Sequence, residues 1–254
     1  MIGLTTTLAG YRAAAAELSG RVRLIAESGD IVAVSGDPSG LDIARRVTER
    51  GVRAVIIDRP RLASDDLGAL RATGVAVILN RPALRADDAG DASPSTTASA
   101  VSVQAHVARG ALRGMLTDAV GWGRVLAAGP LALRAAGSEG GRDGGERAVL
   151  ADLTAPGRTG VALIASERLG TRGEARLRAT VVAPERVDVV WSDGVALVTR
   201  STRAGTLAVP RRWESPERLA LRRALAALEG EAAIDDVDDW NHDAGIARAI
   251  LAAR

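Results

Sequence analysis

Three apolar runs rich in Val and Ile constrain this chain most: Asp30–Ser35 (DIVAVS), Val52–Ile57 (VRAVII) and Val75–Asn80 (VAVILN). None alternates cleanly between apolar and polar residues, as expected for strands covered on both faces. The segments between them read as helices. In DPSGLDIARRVTERG, Ile43, Ala44 and Val47 share one face and Gly51 suits a C-cap. In LASDDLGALRATG, Ser64 reads as the N-cap and Gly74 as the end. Strand and helix in alternation predict a parallel sheet with right-handed crossovers. Upstream lie a short strand (Ile2-Gly3-Leu4), the turn TTTLAG and an Ala-rich helix, YRAAAAELSG. RVRLIA is separated from DIVAVS only by Glu27, Ser28 and Gly29. Parallel neighbours need a crossover of about a dozen residues. RVRLIA is therefore expected to be a short helix or an antiparallel edge, with one strand–helix unit deleted.

The grammar changes after Pro82. Residues 83–98 are small and polar and read as a linker. AVSVQAHVA alternates like a half-exposed strand, and LRGMLTDAVGWGRVLAAG reads as a helix ended by Gly129. PLALRAAG, ERAVLADL, GVALIASE, EARLRATVVA, RVDVVW and GVALVTR alternate as well, with Gly137–Glu146 as a flexible loop and Ser192-Asp193-Gly194 as a hairpin turn. Two amphipathic helices, SPERLALRRALAAL and DDWNHDAGIARAILAA, close the chain. The expected organisation is a shortened Rossmann-like parallel sheet domain (1–82), a linker (83–98), and an open, mostly antiparallel β-sheet domain with flanking helices (99–254).

A sequence pI of about 10.1 suggests nucleic acid, but the formal net charge is only +2. The chain has no Lys or Cys and one Tyr, so little titrates below the Arg pKa and a small Arg excess lifts the pI. The Arg residues interleave with acids, and there are few aromatic platforms, so no nucleic-acid partner is expected. Without Cys there is no disulfide or thiolate chemistry. His106 and His242 lie too far apart in sequence to suggest a metal site. No basic region precedes an apolar run at the N-terminus, and no run approaches the ~20 residues of a membrane span. A cytoplasmic protein without membrane partners is expected.

Four segments, in this order and spacing, resemble the Gfo/Idh/MocA family, relatives of glucose–fructose oxidoreductase and inositol dehydrogenase. GVRAVIIDRP is similar to the family's G-K-H-V-L-x-E-K-P strand end, and VAVILNRPAL to the next strand. GMLTDAVGWGRVLAAG resembles its G-x-L-x-D-x-G-x-H helix, and ERLALRRALAAL with DVDDWNHDAGIARAI its closing helix pair. The resemblance implies an NAD(P)-dependent oxidoreductase of sugars or polyols, with an open sheet that shapes the substrate site and an oligomer interface. It also implies that Gly10, Arg59, Pro60 and Asn80 would meet a cofactor if one binds, that Asp118 and Arg59 are the catalytic candidates, and that the bond before Pro60 is cis.

The chemistry itself is eroded. Where a Rossmann turn places its glycines this chain has Thr5, Thr7 and Gly10, and β-branched residues resist positive φ and crowd the phosphate. Arg59 replaces the family's Lys and releases no proton near neutrality. Trp122 stands at the position of the catalytic His, and indole takes up no proton. Glu27 could mimic the ribose-binding acid; a plain surface residue is the simpler reading. The expected function is a non-catalytic binding or regulatory subunit, without a cofactor or metal. It would form a homo-oligomer, or a heteromer with an oxidoreductase relative, through the C-terminal sheet and could hold a sugar-like ligand. The alternative is an active NAD(P)-dependent oxidoreductase of sugars or polyols. His242 is expected at a surface or interface, His106 partly buried, Trp191 and Trp213 packed on the sheet, and Asp235, Asp236, Asp238 and Asp239 as a solvated cap on a helix dipole.

Overall fold

A computed structural model describes residues 1–27, 29–61, 64–140, 147–168, 175–192, 194–231 and 234–253. The chain forms two compact units, Met1–Pro82 with Trp213–Asn241, and Ala83–Arg212 with His242–Arg254. The closing helices do not both belong with the antiparallel sheet: Trp213–Asn241 groups with the first unit.

The first unit follows β1 (Ile2–Thr6), α1 (Ala9–Glu17), β2 (Val22–Leu24), β3 (Ile31–Ser35), α2 (Pro38–Thr48), β4 (Ala54–Asp58), α3 (Ser64–Arg71) and β5 (Ala76–Asn80). Among the described residues these strands form one parallel sheet in the order β2-β1-β3-β4-β5. Alternate residues Ile31, Ala33, Ala54, Ile56 and Ile78 pack with Tyr11, Ala14 and Ala15 of α1. Ala220, Leu221, Ala224 and Leu225 from Pro216–Leu228 complete that core. On α2 the buried residues are Gly40, Leu41 and Ala44; Ile43, expected on that face, is exposed. Its N-cap is Asp37, whose carboxylate accepts from the Gly40 N–H at 2.9 Å. Ser64, read as a cap, is the first residue of α3.

RVRLIA is neither a helix nor an antiparallel edge. Its β2 pairs parallel with β1, and β3 pairs parallel with the other side of β1. The expectation failed because it took the strands to be side by side. They are staggered: Leu4 is level with both Leu24, where β2 ends, and Ile31, where β3 begins. The chain therefore crosses β1 without doubling back. The crossing runs tight against Gly3, where a Cβ would lie 2.6 Å from Ile25 Cδ1. Gly3 N donates to the Asp30 carboxylate at 2.9 Å and Gly29 N to Thr5 Oγ1 at 3.2 Å, which ties the crossing down.

The second unit opens with α4 (Ala86–Ala92), so the segment read as a linker contains a helix. It continues with β6 (Ala100–Ala108), α5 (Leu112–Leu126), β7 (Ala132–Gly140), β8 (Arg147–Thr154), β9 (Gly160–Arg168), β10 (Arg176–Val182), β11 (Arg186–Ser192), β12 (Val195–Thr202) and β13 (Gly205–Ala208). Helices α6 (Pro216–Leu228) and α7 (Asp236–Ala252) end the chain. Among the described residues the second sheet has the order β13-β12-β11-β10-β6-β9-β8-β7 and is antiparallel except at β6–β9. Strand β7 takes up the start of the loop read at Gly137–Glu146; residues 141–146, and Asp193 of the hairpin turn, lie outside the described residues.

Alternation sorts this sheet's faces. Val101, Val103, Ala105, Val161, Leu163, Leu177 and Ala179 form a core with Leu116, Ala119, Val120 and Trp122 of α5. The opposite face carries Gln104, Arg178, Leu150 and Ile164, the last two 57% and 44% exposed. Trp191 packs in the core as expected, but Trp213 does not: it lies between β13 and α6 and is 91% exposed. Among the described residues no helix is long and apolar enough to cross a membrane, and no group of His, Asp or Glu is arranged to hold a metal.

Candidate functional site

The parallel strands end together. Ser35, Asp58 and Asn80 stand in register, each the first polar residue after an apolar run. In sheets of this kind ligands bind beyond the carboxyl ends of the strands. Asp58 is the centre of this edge: its Oδ1 accepts from Asn80 Nδ2 at 2.7 Å and from the Tyr11 hydroxyl at 3.2 Å. Burial raises the Asp58 carboxyl above its ordinary pKa against the lowering effect of the Asn80 hydrogen bond and the Arg59 charge. Tyr11 is pushed far up, first by burial and then by the Asp58 charge.

Arg59 adopts φ 50°, a left-handed conformation that costs a non-glycine residue of order 1 kcal/mol or more. Its neighbours hold it there. Arg59 N donates to Asn80 O at 2.9 Å, Gly36 N to Asp58 O at 2.6 Å, and Arg61 N to Gly36 O at 2.8 Å. The Arg59–Pro60 bond is trans, contrary to expectation; the left-handed Arg59, not a cis peptide, accompanies the end of the strand. Arg59 projects outward, its side chain 64% exposed, with Nε 3.9 Å from Asp58 Oδ2. The parallel Asn80-Arg81-Pro82 end differs: Arg81 is buried and lies over the Trp240 ring at 5.2 Å.

Arg59, Pro60 and Asn80 thus come together, and Gly10 lies one residue from Tyr11. Asp118 lies in the other unit, half-buried on α5. Trp122 is fully buried and donates to Ala83 O at 2.7 Å. Sequence reasoning missed Asp58 and Glu217. The Asp58 position was legible as the strand's last residue; nothing in the sequence joins Glu217 to the start of α1. There, a Cβ on Gly10 would stand 3.0 Å from Glu217 Cγ and 3.3 Å from its Oε1.

Other candidates resolve as structure. His106 Nδ1 lies 2.8 Å from Ser166 Oγ. His242 is half-buried rather than superficial, because its Nε2 accepts the Leu131 N–H at 2.9 Å. Asp236 accepts the Leu79 N–H and pairs with Arg223 at 2.6 Å, so the acidic run does more than cap a dipole in solvent. Glu27 is exposed.

In the second unit, Arg85 reaches Asp87 at 2.6 Å and Asp88 at 3.5 Å. Burial, then the charge of Asp87, pushes the Asp88 carboxyl up to about 6. A carboxyl that holds its proton more tightly when folded lowers stability as pH rises through the interval from its unfolded value, about 4, to about 6. Asp88→Asn should therefore stabilise the protein by about 1–2 kcal/mol at pH 7.5, with the gain fading towards pH 4. Urea denaturation at both pH values checks this; an equal gain at each would refute the sign.

No family model matches the chain, and no curated protein matches it in sequence. Solved structures do match. An oxidoreductase from Sinorhizobium meliloti superposes with a TM-score of 0.74 at 15% identity, over 98% of this chain and 96% of that one. UDP-N-acetylglucosamine 3-dehydrogenase GnnA from Acidithiobacillus ferrooxidans gives 0.73 at 11% identity, over 99% and 96%. KijD10, a 3-ketoreductase from Actinomadura kijaniata described in complex with TDP-benzene and NADP, gives 0.64 at 14% identity, over 99% and 96%. The chain has the two-domain fold of the Gfo/Idh/MocA-type oxidoreductases.

Within that fold, the β1–α1 turn here is short and its first donor is engaged. Only Thr7 and Leu8 separate β1 from α1. The Thr6 hydroxyl accepts the Leu8 N–H at 3.1 Å and donates to Ala33 O at 2.9 Å, so that N–H, at the helix's N-cap, already has a partner. The Glu217 carboxylate then lies beside the first turn, where a phosphate would seek positive charge.

Proposed function

We propose that the protein uses its Gfo/Idh/MocA-type fold as a binding or regulatory subunit that does not transfer hydride. The observation that carries this reading is the β1–α1 turn, where Thr6 partners the N-cap N–H and a carboxylate faces the first turn of the helix. Two further features support it. A guanidinium stands at position 59 in place of an amine, and Trp122 is buried with its one donor engaged, so neither side chain suits proton transfer. Titration calorimetry with NAD(H) and NADP(H) should give no saturable heat; micromolar binding of either would overturn the reading.

A second reading is favoured by the activities of the structural neighbours: an NAD(P)-dependent oxidoreductase of sugars or polyols. In it Arg59 stabilises negative charge on a substrate oxygen and Asp118 accepts a proton through water. Turnover of any sugar or inositol with either cofactor would establish this reading and remove the first.

A further inference from the structure

We infer that Glu217, supplied by α6, is the group that closes the α1 end of the first unit to dinucleotide phosphate. This rests on the reading above that no dinucleotide binds, and it names the residue responsible. Glu217 lies in the first turn of its own helix and also against Gly10 in the first turn of α1. It therefore answers two helix dipoles at their positive ends with one negative charge. Among the described residues Glu217 has no hydrogen-bond or ion-pair partner. Its field nevertheless reaches the site, raising both Tyr11 and Asp58. A pyrophosphate arriving at this edge would meet two half-buried carboxylates, Glu217 and Asp58, together.

Gly10 has a matching role. With a side chain at position 10, a Cβ would stand 3.0 and 3.1 Å from the Glu217 Cγ and Cδ, and the Glu217 side chain would have to give by a few tenths of an ångström. The glycine kept from the phosphate-turn pattern here admits an internal anion.

The test removes the charge and keeps the shape. Wild type and Glu217→Gln are titrated calorimetrically with inorganic pyrophosphate and with NADPH at low ionic strength. Circular dichroism confirms the fold, and Glu217→Ser, a residue compatible with a first turn, serves if Gln does not fold. Wild type should bind neither ligand saturably at millimolar concentration. The variant should bind pyrophosphate at least about tenfold more tightly than wild type, in a salt-sensitive way. If the variant matches wild type and wild type ignores NADPH, the role of Glu217 is wrong and the reading of the turn survives. If wild type takes NADPH at micromolar concentration, both fall.

Discussion

Gly36→Ala is expected to destabilise the first unit by about 3 kcal/mol or more, among the largest effects of any single methyl group in the chain. The added Cβ would sit 2.4 Å from Arg59 O and 2.5 Å from Asp58 O, in a stretch of backbone pinned by the Gly36 N–H on Asp58 O and the Arg59 N–H on Asn80 O. Neither can retreat alone. Moving the Asp58–Arg59 peptide breaks the 2.6 Å bond from Gly36 N, shifts Arg59 out of its left-handed conformation and carries Asp58 away from Asn80 and Tyr11. Loss of stability and disturbance of the strand-end cluster should arrive together. Gly114→Ala in α5 is the control, because a Cβ there meets nothing within 4 Å. It should gain about 0.5–1 kcal/mol from helix propensity. Denaturant curves for the two variants decide the matter: similar midpoints would show that the close approach at Gly36 is not real.

Trp122→Ala should cost about 3–5 kcal/mol. The indole is fully buried in the core between α5 and the second sheet, and its N–H donates to Ala83 O at 2.7 Å. Truncation leaves both a cavity and an unsatisfied carbonyl. Trp122→Phe separates the two, keeping most of the volume and losing the hydrogen bond, with an expected cost of about 1–3 kcal/mol. If Trp122→Ala unfolds at the wild-type denaturant midpoint, the residue is not a core anchor, and the place of a histidine in the resembled helix would again suggest a role in chemistry.

The parallel sheet was legible because DIVAVS, VRAVII and VAVILN carry their burial in their composition, and two-face burial needs no partner to be identified. Placement of β2 was not legible. Connection length rules out a side-by-side parallel pair, but stagger across β1 is a property of three strands at once. The helix α4 was hidden by composition: DDAGDASPS looks solvated until Arg212 pairs with Asp91 at 2.7 Å and Arg200 donates to the Asp91 carbonyl at 2.6 Å. Trp191 and Trp213 show the same limit. One alternates with apolar neighbours in a strand, which decides its side; the other follows Arg211 and Arg212 in a segment without period, and the residue type alone misleads. At the site, Arg59, Pro60 and Asn80 could be found as strand ends. Glu217 could not, since 207 positions separate it from Gly10 and only the packing of α6 joins them.

The first unit also sets an order of synthesis. Ala220, Leu221, Ala224 and Leu225 belong to the core that covers β1, β3, β4 and β5, yet 130 residues of the other unit, Ala83–Arg212, intervene. A ribosome must release the chain as far as α6 before the opening strands gain the second half of their apolar cover. Until then Leu4, Ile31 and Ile56 would be bare on that side and open to holdase chaperones, so the strands made first wait for cover made 130 residues later.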